Sequence, residues 1–312
     1  MEKSHPSPDR AALGGRLGVL AAAALFSTGG AAVKSASFSG WQVACFRAGI
    51  AAVALFLMLP AARRRPTPRT LLVAAGHAIT MILFVLSNKL TTAASSIFLQ
   101  STAPLYVLLL GPWLLHERVK RRDLYFIVLV AVGLSLMFIG LDPASATAPR
   151  PFLGNVLALA AGLFWGLTVM GLRSLSRTGE SGGEGSAASA TLWANAFACL
   201  ASLPFALPLA SNGIGAVDLA VVSYLGIFQI GLAYVFMTKA IRHVPAFETS
   251  LLLFLEPVLN PIWAWLVHHE QPSALSLAGG AVILAAALLK TWIESTESAR
   301  LPSVVAGEPH GS

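Results

Sequence analysis

The side chains best placed to do chemistry in this 312-residue sequence are polar ones set singly inside long apolar stretches. Glu256 lies near the middle of one such stretch, and Glu248, Leu252, Glu256 and Asn260 recur every four residues with Trp263 following, so a helix would carry them on one side. An ionised acid at mid-bilayer costs about 2.5–3.5 kcal/mol on insertion scales, so Glu256 is expected to face protein or a watered cavity. There it could exchange a proton or hold a substrate amine; the plainer alternative is a structural glutamate bonded to a neighbouring helix. Pro257 lacks an N–H and leaves the carbonyl of Leu253 without its helical donor; Pro261 does the same to Pro257, and Pro104 to Gln100. Free acceptors of this kind at mid-membrane can serve a ligand, or they simply mark packing kinks.

Further candidates follow the same logic. Gln100 shares a helical face with Ser96 and Thr92, a second possible lining. His77, Met81, Phe84 and Asn88 form one stripe that brings an imidazole into apolar surroundings, where a histidine also serves as an ordinary packing residue. Gln229 and Trp165 are candidate orienting and stacking groups, although Trp165 lies within Gly162-x-x-x-Gly166, a spacing that serves close helix packing by itself. Arg47 could bind an anion or pair with an acid, but it lies about seven residues from the end of its stretch, and the favoured reading is a structural one in which it snorkels to the surface. Glu117 and Glu270 close equivalent stretches and suit a cap or hinge contact better than a site.

Other chemistries find little support. The sequence holds no GxxxxGK[ST] phosphate loop and no HExxH metal pair. His268-His269-Glu270 is the only metal-like cluster, and adjacent helical residues point about 100° apart. No metal or cofactor is therefore expected, and no enzymatic role. Cys45 and Cys199 both sit in apolar stretches, as small hydrophobes do.

The elements that must position these residues are membrane helices. Hydrophobic residues make up 56% of the chain, charged ones 11%, and the mean hydropathy is +0.73, whereas soluble domains carry roughly 25% charged residues. Apolar spans are read at 17–34, 40–60, 70–88, 93–115, 123–141, 152–172, 190–210, 217–237, 246–267 and 273–292. In lipid they must be helical, because unpaired backbone groups are too costly there. With a cytoplasmic amino terminus, seventeen of the 21 basic residues fall on the cytoplasmic side, while Lys34, Lys89 and Arg150 face out. The positive charge is thus a topology signal; lying in short clusters between spans, it does not form a nucleic-acid surface. The Gly- and Ser-rich stretch from Arg173 to Ser189 reads as a flexible cytoplasmic linker. Arg outnumbers Lys and Ala is abundant, as in a GC-rich bacterium, which points to the inner (plasma) membrane.

A shift of 153 residues aligns the chain with itself: Pro104 falls on Pro257, His116 on His269 and Glu117 on Glu270. Five spans per copy is an odd number, so the second copy must enter upside down. The charges agree, since the loop after Glu117 holds four basic residues and its counterpart after Glu270, QPSALS, holds none. Inverted repeats of this kind are characteristic of secondary transporters.

Three features carry a family resemblance: the repeated helix ending in HER (His116 to Arg118) and HHE (His268 to Glu270), LEPV (Leu255 to Val258), and AIRHVPAFETSLLLFLEP (Ala240 to Pro257). On these the sequence resembles the drug/metabolite transporter superfamily, of the type with two EamA repeats. The resemblance covers all but the tails and implies ten helices in two inverted repeats around a cavity lined largely by helices 1, 3, 4, 6, 8 and 9. It also implies transport of amino acids and derivatives, purines, drugs or other small organics, often outward. Ala103 stands where the second repeat has Glu256, so an acidic role carries over to the second half alone.

The expectation is an all-α integral membrane protein with both termini cytoplasmic. A tail, 1–16, precedes repeat 1, 17–141; an external connector, 142–151, leads to repeat 2, 152–292, and a second tail, 293–312. Its role is that of a secondary transporter for a small molecule, with protons as a candidate coupling ion and Glu256, Asn260, Gln100, Ser96, His77, Gln229 and Trp165 as candidate site residues. A polytopic membrane enzyme and a non-transporting scaffold or sensor are the rival readings.

Overall fold

A computed structural model describes residues 8–114, 120–177, 183–207, 215–241 and 243–300. The described chain is helical throughout. Helix α1 comprises Pro8–Ser27 and Gly29–Ser35, α2 is Gly40–Met58, α3 Pro68–Leu90, and α4 Ala93–Gln100 with Ala103–Leu114. These are followed by α5, Arg121–Ile139, α6, Pro151–Arg177, and α7, Gly183–Ala206. Helix α8 runs Ala216–Tyr224, continues through a π-helical stretch, Leu225–Leu232, and ends as Ala233–Ala240; α9 is Ala246–Leu253 with Leu255–His268, and α10 is Ala274–Arg300.

Among the described residues, nine of these helices are long and apolar enough to cross a bilayer, and α5 offers the shorter apolar segment Asp123–Ile139. Large apolar side chains cover the outside of the bundle, with Leu72, Trp113, Tyr125 and Ile139 each at least 75% exposed. Water could not solvate such a surface, and lipid can. The protein is a multi-pass membrane protein.

Local chemistry sets the helix ends. Ser39 and Gln42 form a reciprocal capping box at the start of α2, and Thr67 followed by Pro68 opens α3. The breaks are equally legible. Pro104 and Pro257 each remove a helical donor, and the chain turns at Ser101 (φ −67°, ψ −3°) and at Phe254 (φ −64°, ψ −11°), positions 153 residues apart with nearly the same backbone. In α1, where no proline is present, the Ser27 and Thr28 hydroxyls donate back to the carbonyls of Ala24 and Leu25, each at 2.7 Å, next to Gly29 and Gly30. This competition with the helical ladder explains the break there.

Helix packing repeats as well. α3 lies on α6 and α7, α2 on α7 and α8, α1 on α8 and α9, α4 on α6 and α9, and α5 on α10. Exchanging each helix for the one five places along maps α3–α6 onto α1–α8, α3–α7 onto α2–α8 and α4–α6 onto α1–α9. It returns α2–α7, α4–α9 and α5–α10 to themselves.

Two boundaries differ from the sequence reading. The expected linker at 173–189 shrinks, because α6 continues to Arg177 and α7 starts at Gly183. Small residues here are a docking face: the Ser189 hydroxyl donates to the carbonyl of Arg64 at 3.0 Å, and a methyl group on Gly185 would meet the Arg64 side chain at 2.5 Å. The tails are likewise partly helical, since α1 begins at Pro8 and α10 runs to Arg300. His116, Glu117 and Arg118 lie outside the described residues.

Candidate functional site

A cavity of about 320 Å³ opens beside the breaks in α4 and α9. Phe26 comes from α1, Arg47 from α2, and His77, Thr80, Met81 and Phe84 from α3; Ile97, Gln100 and Ser101 flank the break in α4. Trp165 comes from α6, Gln229, Ile230, Tyr234 and Met237 from α8, and Leu253, Glu256 and Pro257 flank the break in α9. Both halves of the chain thus contribute, and the six helices implied by the family resemblance are joined by α2.

The wall is aromatic with a few polar groups. His77 leans on Trp165 with ring centroids 5.3 Å apart, and Phe26 meets Tyr234 edge-on at 5.4 Å. Gly162 and Gly166 bring α6 close to the break in α4: methyl groups there would stand 3.1 Å from the carbonyl oxygen of Gln100 and 3.0 Å from that of Ala103. Small-residue packing and the placement of Trp165 are therefore two results of one helix contact. Gln229 sits in the π-helical stretch of α8, a backbone form often found at functional positions. It donates to the carbonyl of Phe26 at 3.3 Å, beside the break in α1.

Of the seven candidate residues, Glu256, Gln100, His77, Gln229 and Trp165 line this cavity. Ser96 and Asn260 do not. Ser96 is fully buried in a polar knot between α3 and α4, where its hydroxyl lies 2.5 Å from that of Ser87 and accepts from Asn88 at 2.9 Å. Asn260 is fully buried against Gly30 of α1. The expected polar stripe of α9 is divided by the break at Phe254. Glu248 pairs with Arg16 at 2.6 Å, Trp263 donates to Ser27 at 2.9 Å, and Glu256 reaches the cavity. Most of the stripe is an α1–α9 contact.

Arg47 also departs from expectation. Instead of snorkelling, it is 4% exposed and lines the cavity together with residues of α3, α6, α8 and α9. Tyr234 and Phe26 carried no sequence signal, since aromatic residues are common in any membrane span.

The two ends of the bundle are closed differently. At one end the Lys34 ammonium lies 2.9 Å from the Glu270 carboxylate, with both side chains 2% exposed. Lys34 also donates to the carbonyls of Thr91 and Thr147 at 2.7 and 2.5 Å, while Glu270 accepts from the Ala93 N–H at 2.9 Å. His269 adopts a left-handed backbone (φ 54°) that ends α9 and turns Glu270 inward. Nearby, Asp142 accepts from the Ser273 N–H at 2.6 Å and from the hydroxyls of Thr92 and Ser95 at 3.1 and 3.2 Å. The other end of α9 is held by the Arg16–Glu248 pair, whose side chains are 52% and 30% exposed.

Comparison with known proteins places this architecture. The model of the EamA-like transporter family matches residues 13–139 and 152–292. Over 275 residues the chain is 26% identical to the pseudopaline exporter CntI of Pseudomonas aeruginosa, covering 84% of this chain and 90% of that protein. It is 24% identical to an uncharacterized transporter of Methanothermobacter thermautotrophicus, covering 69% of this chain and 61% of that one. To the transporter YetK of Bacillus subtilis it is 27% identical, covering 62% and 58%. A solved crystal structure superimposes with a TM-score of 0.57 at 18% identity, covering 91% of this chain and 98% of its own, a likeness of fold.

Proposed function

Because the chain belongs to the EamA-like transporter family, whose members are membrane transporters, we propose that it is a secondary carrier exporting a small organic metabolite by alternating access between two inverted five-helix repeats. The carrying observation is the cavity itself, which lies at the paired helix breaks and draws its wall from both halves of the chain. A carrier of this type needs a mid-membrane site and two ends that open in turn. Outward direction takes its support from the exporter of Pseudomonas aeruginosa.

Lys34, Lys89 and the start of α6 at Arg150 gather at one end: Lys34 bonds to Thr91, Lys89 donates to the carbonyl of Ala36 at 2.6 Å, and the Arg150 N–H to that of Leu90 at 3.0 Å. This basic-poor end is assigned to the outside of the inner membrane, and both termini to the cytoplasm. The structure then corresponds to an arrangement closed outward.

Glu256 is the proposed proton-coupling group. It shares the cavity wall with Arg47 of α2, His77 of α3 and Tyr234 of α8. The test is efflux from proteoliposomes, screening amino acids, their derivatives and purines with and without an imposed pH gradient. Glu256→Gln should leave the protein folded and abolish dependence on the gradient; unchanged proton-driven flux would remove Glu256 from coupling.

A further inference from the structure

We propose that Arg47 is the anion subsite of this cavity and that the cargo presents a carboxylate to it, with a cationic or hydrogen-bond-donating group directed towards Glu256; this rests on reading the cavity as the cargo site. Among the described residues, Arg47 is the one guanidinium that lines the cavity, on a helix whose neighbouring residues Phe46 and Ala48 are apolar. It is 4% exposed, yet its Nε has no hydrogen-bond partner among the described residues. A guanidinium stays charged in proteins, so it cannot relieve this situation by giving up a proton. Nor does an ion pair among the described residues join it to Glu256, the acid on the same cavity wall.

A buried charge without a counter-charge is costly, and proteins keep one chiefly where a ligand supplies the partner. The planar fork of arginine matches a carboxylate in two parallel hydrogen bonds, a geometry that lysine cannot offer. Two groups of opposite charge type on the wall of a cavity of about 320 Å³ that Trp165, Phe26 and Tyr234 also line suit a small molecule charged at both ends with an apolar middle.

The experiment uses the full-length protein in detergent. Thermal shift and direct binding are measured with matched triplets: leucine, leucinamide and isoamylamine; tryptophan, tryptophanamide and tryptamine; and 5-aminovalerate with its amide. Sodium chloride and inorganic phosphate at equal concentrations serve as controls. The parent should bind at least one acid about tenfold or more tightly than its amide. Arg47→Gln should erase that preference, Arg47→Lys should retain part of it, and Arg47→Gln without ligand should melt no lower than the parent, because it removes an unpaired charge. A structural arginine would give the reverse, a lower melting temperature and an unchanged acid-to-amide ratio.

Equal binding of acids and amides by the parent, or no stabilisation by any acid, would overturn the subsite. So would equal stabilisation by chloride or phosphate, which would mark a plain ion site. Binding is read without flux, so the two proposals can fail separately: acid-selective binding with no transport would refute the carrier alone, and transport with no acid preference would refute the subsite alone.

Discussion

Replacing Lys34 should open the external end. Its ammonium is held by Glu270 at 2.9 Å and by two backbone carbonyls, whereas Glu270 has, besides Lys34, one further partner among the described residues, the N–H of Ala93. Lys34→Met keeps the length of the side chain and leaves a carboxylate, 2% exposed, with one neutral donor. Breaking a buried pair in this way costs about 3–5 kcal/mol. The cost falls on the closed arrangement, since opening would return Glu270 to water, and the equilibrium should move outward on the order of 10²–10⁴-fold. Glu270→Gln should have a smaller effect, because Lys34 keeps both carbonyls. Lys34→Met combined with Glu270→Leu removes both charges and should close the end again, as apolar replacement of a whole buried pair is neutral or stabilising. The assay places a reporter at Ala31→Cys, buried about one turn below Lys34, in a background carrying Cys45→Ala and Cys199→Ala. Labelling by a membrane-impermeant maleimide added outside intact cells should be fastest in Lys34→Met, intermediate in Glu270→Gln and slow in the double replacement. Equal rates in all variants, or a double replacement as fast as Lys34→Met, would refute the clamp.

Three other outcomes are expected. Reporter fusions after residues 65 and 180 should score as cytoplasmic and one after 145 as external; a reversal would undo the assigned topology. Gly279→Ala should lower the melting temperature in detergent by an amount equivalent to about 1–3 kcal/mol, since its methyl group would stand 2.5 Å from the carbonyl oxygen of Gly133 where α5 crosses α10. Gly14→Ala, with nothing within 4 Å, should do no harm, and equal behaviour of the two would disprove the tight crossing. The Cys45 and Cys199 sulfurs lie 3.8 Å apart between α2 and α7, so copper phenanthroline should protect both thiols from alkylation without producing dimers; persistent alkylation of both would place these helices further apart.

Much of the fold is legible because lipid leaves the backbone few choices. Apolar length marks the helices, prolines mark the breaks in α4 and α9, and the 153-residue repeat puts those breaks in register. What escaped the sequence was decided by neighbours. The Gly- and Ser-rich stretch around Gly185 looks like linker until Arg64 is seen packed on it. Glu256, Gln100, His77, Gln229 and Trp165 could be singled out because polar and amphipathic groups are rare in a span. The same rarity singled out Ser96 and Asn260, and spacing cannot show whether such a group turns to a cavity or to an adjacent helix. Arg47 was misread for a related reason. Distance from the end of a helix allows snorkelling in lipid, but a guanidinium buried on the cavity side of its helix does not reach the surface.

The two ends of α9 bear on how such a molecule could work. Glu270 ties the end of α9 assigned above to the outside through a buried pair that also grips the start of α4, and Glu248 ties its other end to Arg16 through an exposed pair. Exposed pairs contribute about 0–1 kcal/mol, while disrupting a buried one costs several times more. The external closure should therefore be the stronger of the two, and the resting carrier should meet its cargo from the cytoplasm, as export requires. Between these ends lie the breaks at Phe254 and Ser101, next to Glu256 and Gln100. A ligand that draws Arg47 and Glu256 together would act on the joints of both broken helices, which is where a modest change in backbone angle moves the clamped ends furthest.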